Sequence, residues 1–125
     1  MQLTEHLPGD HHVIKRISTE AIEINQDRFE RSLILGARLL ESDWPVTSYD
    51  DLNSETIAPL LQHRPEVVLL GFGQRQSFPP IDLQREFLKL GIGLECMTLD
   101  AAARTFNVLM SENRRALAGF ILPQP

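Results

Sequence analysis

Cysteine is almost missing from this chain, since only Cys96 among its 125 residues carries a thiol. A single cysteine excludes an internal disulfide. The polar N-terminus, which carries acids, lacks the basic and apolar stretches of a signal peptide. Both observations favour a reducing compartment, so we expect a cytoplasmic protein.

Long apolar runs and aromatic side chains are also scarce. The longest uninterrupted apolar run covers residues 67–70, whereas roughly 20 such residues are needed to span a bilayer. We therefore expect no membrane insertion. Aromatic residues make up 6% of the chain, so aliphatic side chains must build most of the core.

A dense basic stripe is the third absence. The formal net charge is −5, and residues 1–63 hold eleven acids against five Lys and Arg, while residues 64–125 hold six against seven. Because the neutralisation of phosphates dominates the affinity of nucleic-acid binders, we expect no nucleic acid as a partner. The nearly neutral second half leaves room for a local anion site.

The length fits a single domain, residues 1–125, with residues 1–12 as a flexible N-terminal segment. Apolar residues alternate with polar ones over 13–17, 21–24 and 29–35, and turn-forming residues 25–27 separate the second run from the third. This pattern predicts antiparallel strands joined as hairpins, in a sheet with one exposed face.

After Trp44 the pattern changes to alternating helices and strands. It predicts helices at 54–63, at 82–90 and after the capping residue Thr98, and strands at 67–70, 94–97 and 116–122. Pro59 is expected near the first turn of its helix, because deeper in it would break the helix. The second helix should bury Leu83, Phe87 and Leu90 and end at Gly91.

Two strand–helix–strand crossovers imply parallel pairing in the core. The fold class predicted from these elements is α/β. We expect a layered domain with a central mixed, largely parallel sheet, helices packed on it, and N-terminal antiparallel hairpin strands.

The most specific local feature is the tripeptide Gly71-Phe72-Gly73 at the C-terminal end of a buried strand. In open α/β sheets such strand ends border the usual ligand crevice, and glycine lets a ligand approach the backbone closely. The third glycine of a dinucleotide-binding pattern is missing, however, and no Gly-Lys-Ser/Thr of a P-loop is present. A tight turn without any ligand is the alternative interpretation.

Three further polar residues are candidates for the same crevice. Arg75 follows the tripeptide, and Arg104 and Asn107 lie three residues apart on one face of the last helix, where they would offer a fork of donors to a carboxylate or phosphate. The alternative is that they bind nearby loop carbonyls or a structural acid.

No set of residues suggests catalysis. Cys96 has no histidine after His63 to act as its base, so a buried and inert thiol is expected. The neighbours His11 and His12 would point to opposite faces of a strand, which is poor geometry for a metal. We therefore predict no catalytic residue, no metal and no cofactor, and lean against an enzyme.

The second half resembles a known family. The strings VVLLGFG (67–73), LGIGLECM (90–97), AARTFNVL (102–109) and ILP (121–123) are similar to a small α/β family. That family includes the mitochondrial respiratory complex I assembly factor three and uncharacterised bacterial and archaeal proteins. The resemblance spans roughly residues 13–123 and implies a layered α/β fold around a mixed sheet.

The resemblance also implies a function through partner proteins, since the eukaryotic factor acts by binding them. Three positions depart from the family pattern: Phe72 and Leu99 replace threonines, and Ala103 replaces a frequent cysteine. The loss of the central hydroxyl and the bulky ring of Phe72 imply a crevice with less room for a small ligand.

Our leading hypothesis is therefore a non-enzymatic protein-binding or assembly-type factor with an unknown protein partner. The alternative is a binder of a small anionic metabolite, or an enzyme, that uses the Gly71-Phe72-Gly73 crevice with Arg75, Arg104 and Asn107. A third hypothesis is a structural module that self-associates along an edge strand of the N-terminal hairpins.

Overall fold

The computed structural model describes residues 11–75 and 77–124. Most of the predicted flexible segment 1–12, and Gln76 beside the glycine turn, lie outside the described residues. His11 and His12 are described. The backbone N–H of His12 donates to the Ala37 carbonyl at 2.9 Å, and its Nδ1 lies 2.8 Å from the Gly36 carbonyl oxygen.

The described residues form eight strands and three α-helices. The strands are β1 (Ile14–Ile17), β2 (Ile22–Ile24), β3 (Asp27–Phe29), β4 (Leu33–Leu35), β5 (Leu40–Glu41), β6 (Val67–Phe72), β7 (Gly93–Met97) and β8 (Ala116–Ile121). The helices are α1 (Ser54–Gln62), α2 (Ile81–Lys89) and α3 (Leu99–Ser111), and a short 3-10 turn covers Tyr49–Asp51.

The strands belong to two sheets. Strands β1, β2 and β3 form a small antiparallel sheet, while the central sheet has the order β5-β4-β8-β6-β7. Strand β6 is parallel to both β7 and β8, and β4 is antiparallel to β8 and β5. The predicted α/β class, with its mixed central sheet and antiparallel N-terminal strands, is confirmed.

Two apolar clusters cover the two faces of the central sheet. The first contains Leu69 of β6 and Phe106 of α3, together with buried isoleucines of the small sheet. The second contains Val68 and Leu70, together with residues of α1 and α2 and Trp44. Because successive side chains of a strand point to opposite faces, β6 separates these clusters, and the molecule has three layers.

The prediction of one continuous strand at 29–35 is wrong. Strand β3 ends at Phe29 in the small sheet, and β4 begins at Leu33 in the central sheet. Ser32 lies between them and is 2% exposed. Its hydroxyl donates to the Val46 carbonyl and accepts the Leu122 N–H at 2.8 Å, which fixes the point where the chain passes from one sheet to the other.

Two details of the predicted helices also need correction. Pro59 is the sixth residue of α1, not part of its first turn. Proline has no N–H, so the carbonyl of Glu55, an exposed residue, loses its usual helical donor. Leu90 is 41% exposed because it is the C-cap of α2, where the helical turn has ended. Gly91 follows with φ of 71°, as the C′ prediction required.

Candidate functional site

The glycine turn lies at the C-terminal end of β6, as the sequence predicted. Gly71 is buried, and a Cβ atom there would lie 2.8 Å from Ala102 Cβ and 3.2 Å from Phe120 Cδ1. Gly73 has φ of 71°, and its carbonyl accepts the Leu99 N–H at 3.0 Å. Gly71 thus lets α3 approach the sheet, and Gly73 turns the chain towards the start of that helix.

The side chain of Phe72 points to the face of the sheet opposite α3. Its ring packs against the second apolar cluster, 5.0 Å from the ring centroid of Tyr49. The expectation that the Phe72 ring leaves less room in the crevice beside α3 is therefore wrong, because the ring lies on the other face of the sheet.

Asn107 binds the backbone of β1. Its Oδ1 accepts the Ile14 N–H at 3.0 Å, and its Nδ2 donates to the Ile14 carbonyl at 2.9 Å. The amide thus imitates a strand partner and fixes the small sheet to α3. Of the two interpretations of this residue, the structure favours bonds to nearby backbone over a ligand site.

Two shallow depressions lie at this end of the sheet, and Arg75 lines neither of them. The first, of about 310 Å³, is lined by Gly73 and Thr98, and the second, of about 290 Å³, by Arg104 and Asn107. Asp100 borders both depressions. Arg75 and Arg104 are exposed. Asp100 is the one charged residue among the described residues that line the first depression, so its carboxylate opposes an anion there. In the second depression Asp100 is outnumbered by Lys15, Arg16 and Arg104.

Cys96 of β7 is half-buried and lies beside Tyr49. Burial raises the pKa of its thiol above the ordinary value, and burial likewise raises the pKa of the Tyr49 hydroxyl, with the nearby thiol adding to the effect. A raised pKa keeps the sulfur protonated and weakly nucleophilic. The environment is that of a packed thiol and does not activate it.

An exposed apolar surface lies on the second-cluster side. We call it the α2–β7 face and define it by Phe78, Ile81, Leu88 and Leu90, whose exposed fractions are 66%, 62%, 76% and 41%. Phe78, Ile81 and Leu88 line a groove of about 470 Å³, whose far wall includes Leu94 and Cys96 of β7. Strand β7 is the last in the order of the central sheet, so its outer edge pairs with no other described strand.

Ile81 and Leu88 are seven residues apart, which places them on one side of α2. Phe87 faces the core instead and is 1% exposed. The helix therefore has a second apolar stripe that the sequence analysis missed. The signal was present in the spacing of residues 81 and 88, but the stronger stripe of Leu83 and Phe87 obscured it.

Neither a metal site nor a membrane-crossing helix is found in the described part of the chain. No group of three or more His, Cys, Asp or Glu side chains there is arranged to hold a metal ion. None of the helices within 11–75 and 77–124 has the length and apolar character to cross a membrane.

The chain matches the model of a known protein family. The family described as "Protein of unknown function (DUF498/DUF598)" matches residues 14–121. The chain belongs to this family. The match confirms the resemblance found in the sequence, because proteins named as complex I assembly factors are among the relatives of this DUF498 chain.

The DUF498 chain is similar to proteins with differing names. It is 33% identical over 114 residues to the "NADH dehydrogenase [ubiquinone] 1 alpha subcomplex assembly factor 3" of Danio rerio. The aligned residues cover 89% of this chain and 64% of that protein. It is 29% identical over 92 residues to the "13 kDa major membrane protein" of Francisella tularensis subsp. holarctica, covering 73% and 75% of the two chains.

Among solved structures, the DUF498 chain resembles an NMR structure of a Xanthomonas campestris protein. The TM-score is 0.83 at 38% identity, over 98% of this chain and 92% of the other. This agreement extends over nearly all of both chains and supports the layered fold described above.

Proposed function

We propose that this protein is a non-enzymatic protein-binding factor of the assembly type and that it binds its partner through the α2–β7 face. The observation that carries the proposal is the concentration of exposed apolar side chains there. Among the described residues, four of the five large apolar side chains with marked exposure belong to this face, and the fifth is Val108 on α3. The relatives named as assembly factors support a function through protein partners.

The face combines two means of binding a protein. Burial of apolar surface contributes roughly 25 cal/mol per Å², so a partner that covers Ile81 and Leu88 gains most of its affinity there. The open edge of β7 offers backbone donors and acceptors to an added strand. Helix α2 also carries two exposed ion pairs, Arg85–Asp82 and Lys89–Glu86, each at 3.5 Å. They would lie within such an interface or at its border.

The test captures a partner with the tagged chain at native expression and identifies it by mass spectrometry. The same capture is then repeated with three variants. Ile81→Glu and Leu88→Glu place a charge on the face and should abolish the capture of the specific partner. Val108→Glu places the same charge at an exposed apolar position of α3, 53% exposed, and should leave it unchanged. Circular dichroism checks that all three variants fold.

Failure to recover any stable partner would contradict the proposal. So would a partner that all three variants retain, because the interface would then lie elsewhere. Light scattering across concentration separates a foreign partner from a second copy: a mass that doubles in the native chain and not in Leu88→Glu would assign the face to self-association.

We further propose that the protein acts in the cytoplasm. The single cysteine and the absence of a membrane-crossing helix in the described residues support this location. Names of relatives that refer to a membrane make the alternative worth testing. Fractionation of cells at native expression should recover the chain with cytosolic markers, and its recovery in the membrane pellet after a salt wash would contradict this expectation.

The alternative hypothesis is a metabolite binder or enzyme at the Gly71-Phe72-Gly73 crevice, and the geometry does not favour it. Asn107 is used by the backbone of β1, and Phe72 faces the other side of the sheet from α3. The expectation that no nucleic acid binds stays a prediction from composition.

A further inference from the structure

We infer that this protein binds a phosphate group in a cleft at the end of the central sheet opposite the glycine turn. The cleft has a volume of about 490 Å³ and lies where β8 begins at Ala116, next to Pro65 just before β6. Its defining residues are Arg38, Arg114 and Arg115, and we call it the arginine cleft. It is independent of the α2–β7 face.

The charge of the cleft contrasts with that of the whole chain. The formal net charge of the protein is −5, yet three arginines, two histidines (His11 and His63) and Asn113 line this cleft. Among the residues that the structure describes, no Asp or Glu lines it. Like charges brought together repel, so such a cluster is stabilised by an anion placed among its members.

The nearest acids satisfy only part of this positive charge. Glu66 Oε1 lies 3.4 Å from Arg114 Nε and accepts the backbone N–H of Arg115 at 3.0 Å. Arg115 Nη1 donates to the Arg64 carbonyl at 2.8 Å. Glu41 lies 4.0 Å from His63 Nε2. Since a guanidinium has five N–H donors, both arginines keep donors for a ligand.

Arg38 is the most available of the three. It is exposed in the turn between β4 and β5, and within residues 11–75 and 77–124 no side chain or carbonyl forms an ion pair or hydrogen bond with it. Arg38 is exposed, makes no ion pair or hydrogen bond within the described residues and borders the cleft with two other arginines, so we expect it to bind the anion directly.

A phosphate group fits these donors better than a carboxylate does. Planar guanidinium forks bind pairs of oxygens, and a phosphate monoester presents three terminal oxygens and up to two charges to three forks. Met110 and Leu117 form the buried floor of the cleft, and the half-buried Ala37 adds a small apolar surface for the body that carries the phosphate. That body is either a soluble ester or a lipid whose headgroup is a phosphate monoester.

The soluble source is tested by NMR titration of the ¹⁵N-labelled full chain with inorganic phosphate and with phenyl phosphate, against sodium chloride at equal ionic strength. Saturable shifts of the amides at 113–116 are expected, with tighter binding of phenyl phosphate. Arg38→Gln should weaken binding about tenfold, the loss expected for one charge-assisted contact. Arg104→Gln, which removes an exposed arginine from α3 outside the cleft, should leave it unchanged.

The lipid source is tested by co-sedimentation with phosphatidylcholine vesicles that do or do not contain phosphatidic acid. Binding that needs phosphatidic acid and is lost in Arg38→Gln supports the cleft with a lipid ligand, even where the soluble esters do not bind. Equal effects of Arg38→Gln and Arg104→Gln would overturn the inference, because attraction would then be a property of surface charge. The absence of saturable binding in both assays would overturn it as well.

Discussion

Replacing Asn107 by alanine removes the side chain that connects α3 to the small sheet. Two hydrogen bonds to Ile14 are lost, at 3.0 and 2.9 Å. A typical intramolecular hydrogen bond contributes about 1 kcal/mol net, and Ile14 is only 6% exposed, so water cannot fully replace the lost partner. The expected loss in the free energy of unfolding is about 2 kcal/mol.

Urea unfolding followed by circular dichroism measures this loss, and thermal unfolding checks it. For a domain of this length, 1 kcal/mol corresponds to about 4 °C, so the melting temperature should fall by about 8 °C. Asn107→Asp keeps the acceptor for the Ile14 N–H but places a second carboxylate oxygen against the Ile14 carbonyl. At neutral pH it should destabilise at least as much as alanine does.

Arg104→Ala is the matched control, since it lies on the same helix, is exposed and borders the same depression. It should change stability by less than about 0.5 kcal/mol. A loss of that small size in Asn107→Ala, or an equal loss in the control, would refute the structural assignment of Asn107 and restore it as a candidate ligand residue.

Two other perturbations test features of the same end of the sheet. Gly71→Ala brings a methyl group to 2.8 Å from Ala102 Cβ. It should lower the free energy of unfolding by about 1–3 kcal/mol, measured by urea unfolding. An unchanged unfolding midpoint would show that α3 can move away freely. The raised pKa of Cys96 reduces the thiolate fraction at any pH below that pKa. Its reaction with a disulfide reagent at pH 8 should be slower in the native chain than in denaturant, and equal rates would contradict the burial of the thiol.

The local signals in the second half of the chain were sufficient to predict its elements. The uninterrupted apolar run of β6, the capping Thr98 and the C′ glycine at position 91 each act over a few residues, and the structure has each in place. The break between β3 and β4 was missed because it depends on Ser32 bonding to Val46 and Leu122. Those partners are 14 and 90 residues away, and a local pattern cannot reveal them.

The surfaces proposed for binding were harder to predict for the same reason. Arg38 and Arg115 come from turns far apart in the chain, and only the pairing of β4 with β8 brings those turns to one end of the sheet. The sequence predicted a candidate site at the other end of the sheet, at the glycine turn, because a glycine pair after a strand can be recognised from neighbouring residues alone. The position of Arg104 on α3 could be predicted, but the use of Asn107 by β1 could not.

The place of β8 in the central sheet has a consequence for synthesis of the chain. This strand, Ala116–Ile121, is the last in sequence yet lies between β4 and β6 in the strand order. While the ribosome is still adding residues before 116, the β4–β5 hairpin and the β6–β7 pair are two half-sheets without a common strand, and both expose unpaired edges. The central sheet can close only after β8 has left the exit tunnel, so the two half-sheets stay separate until residues 116–121 can pair with both β4 and β6.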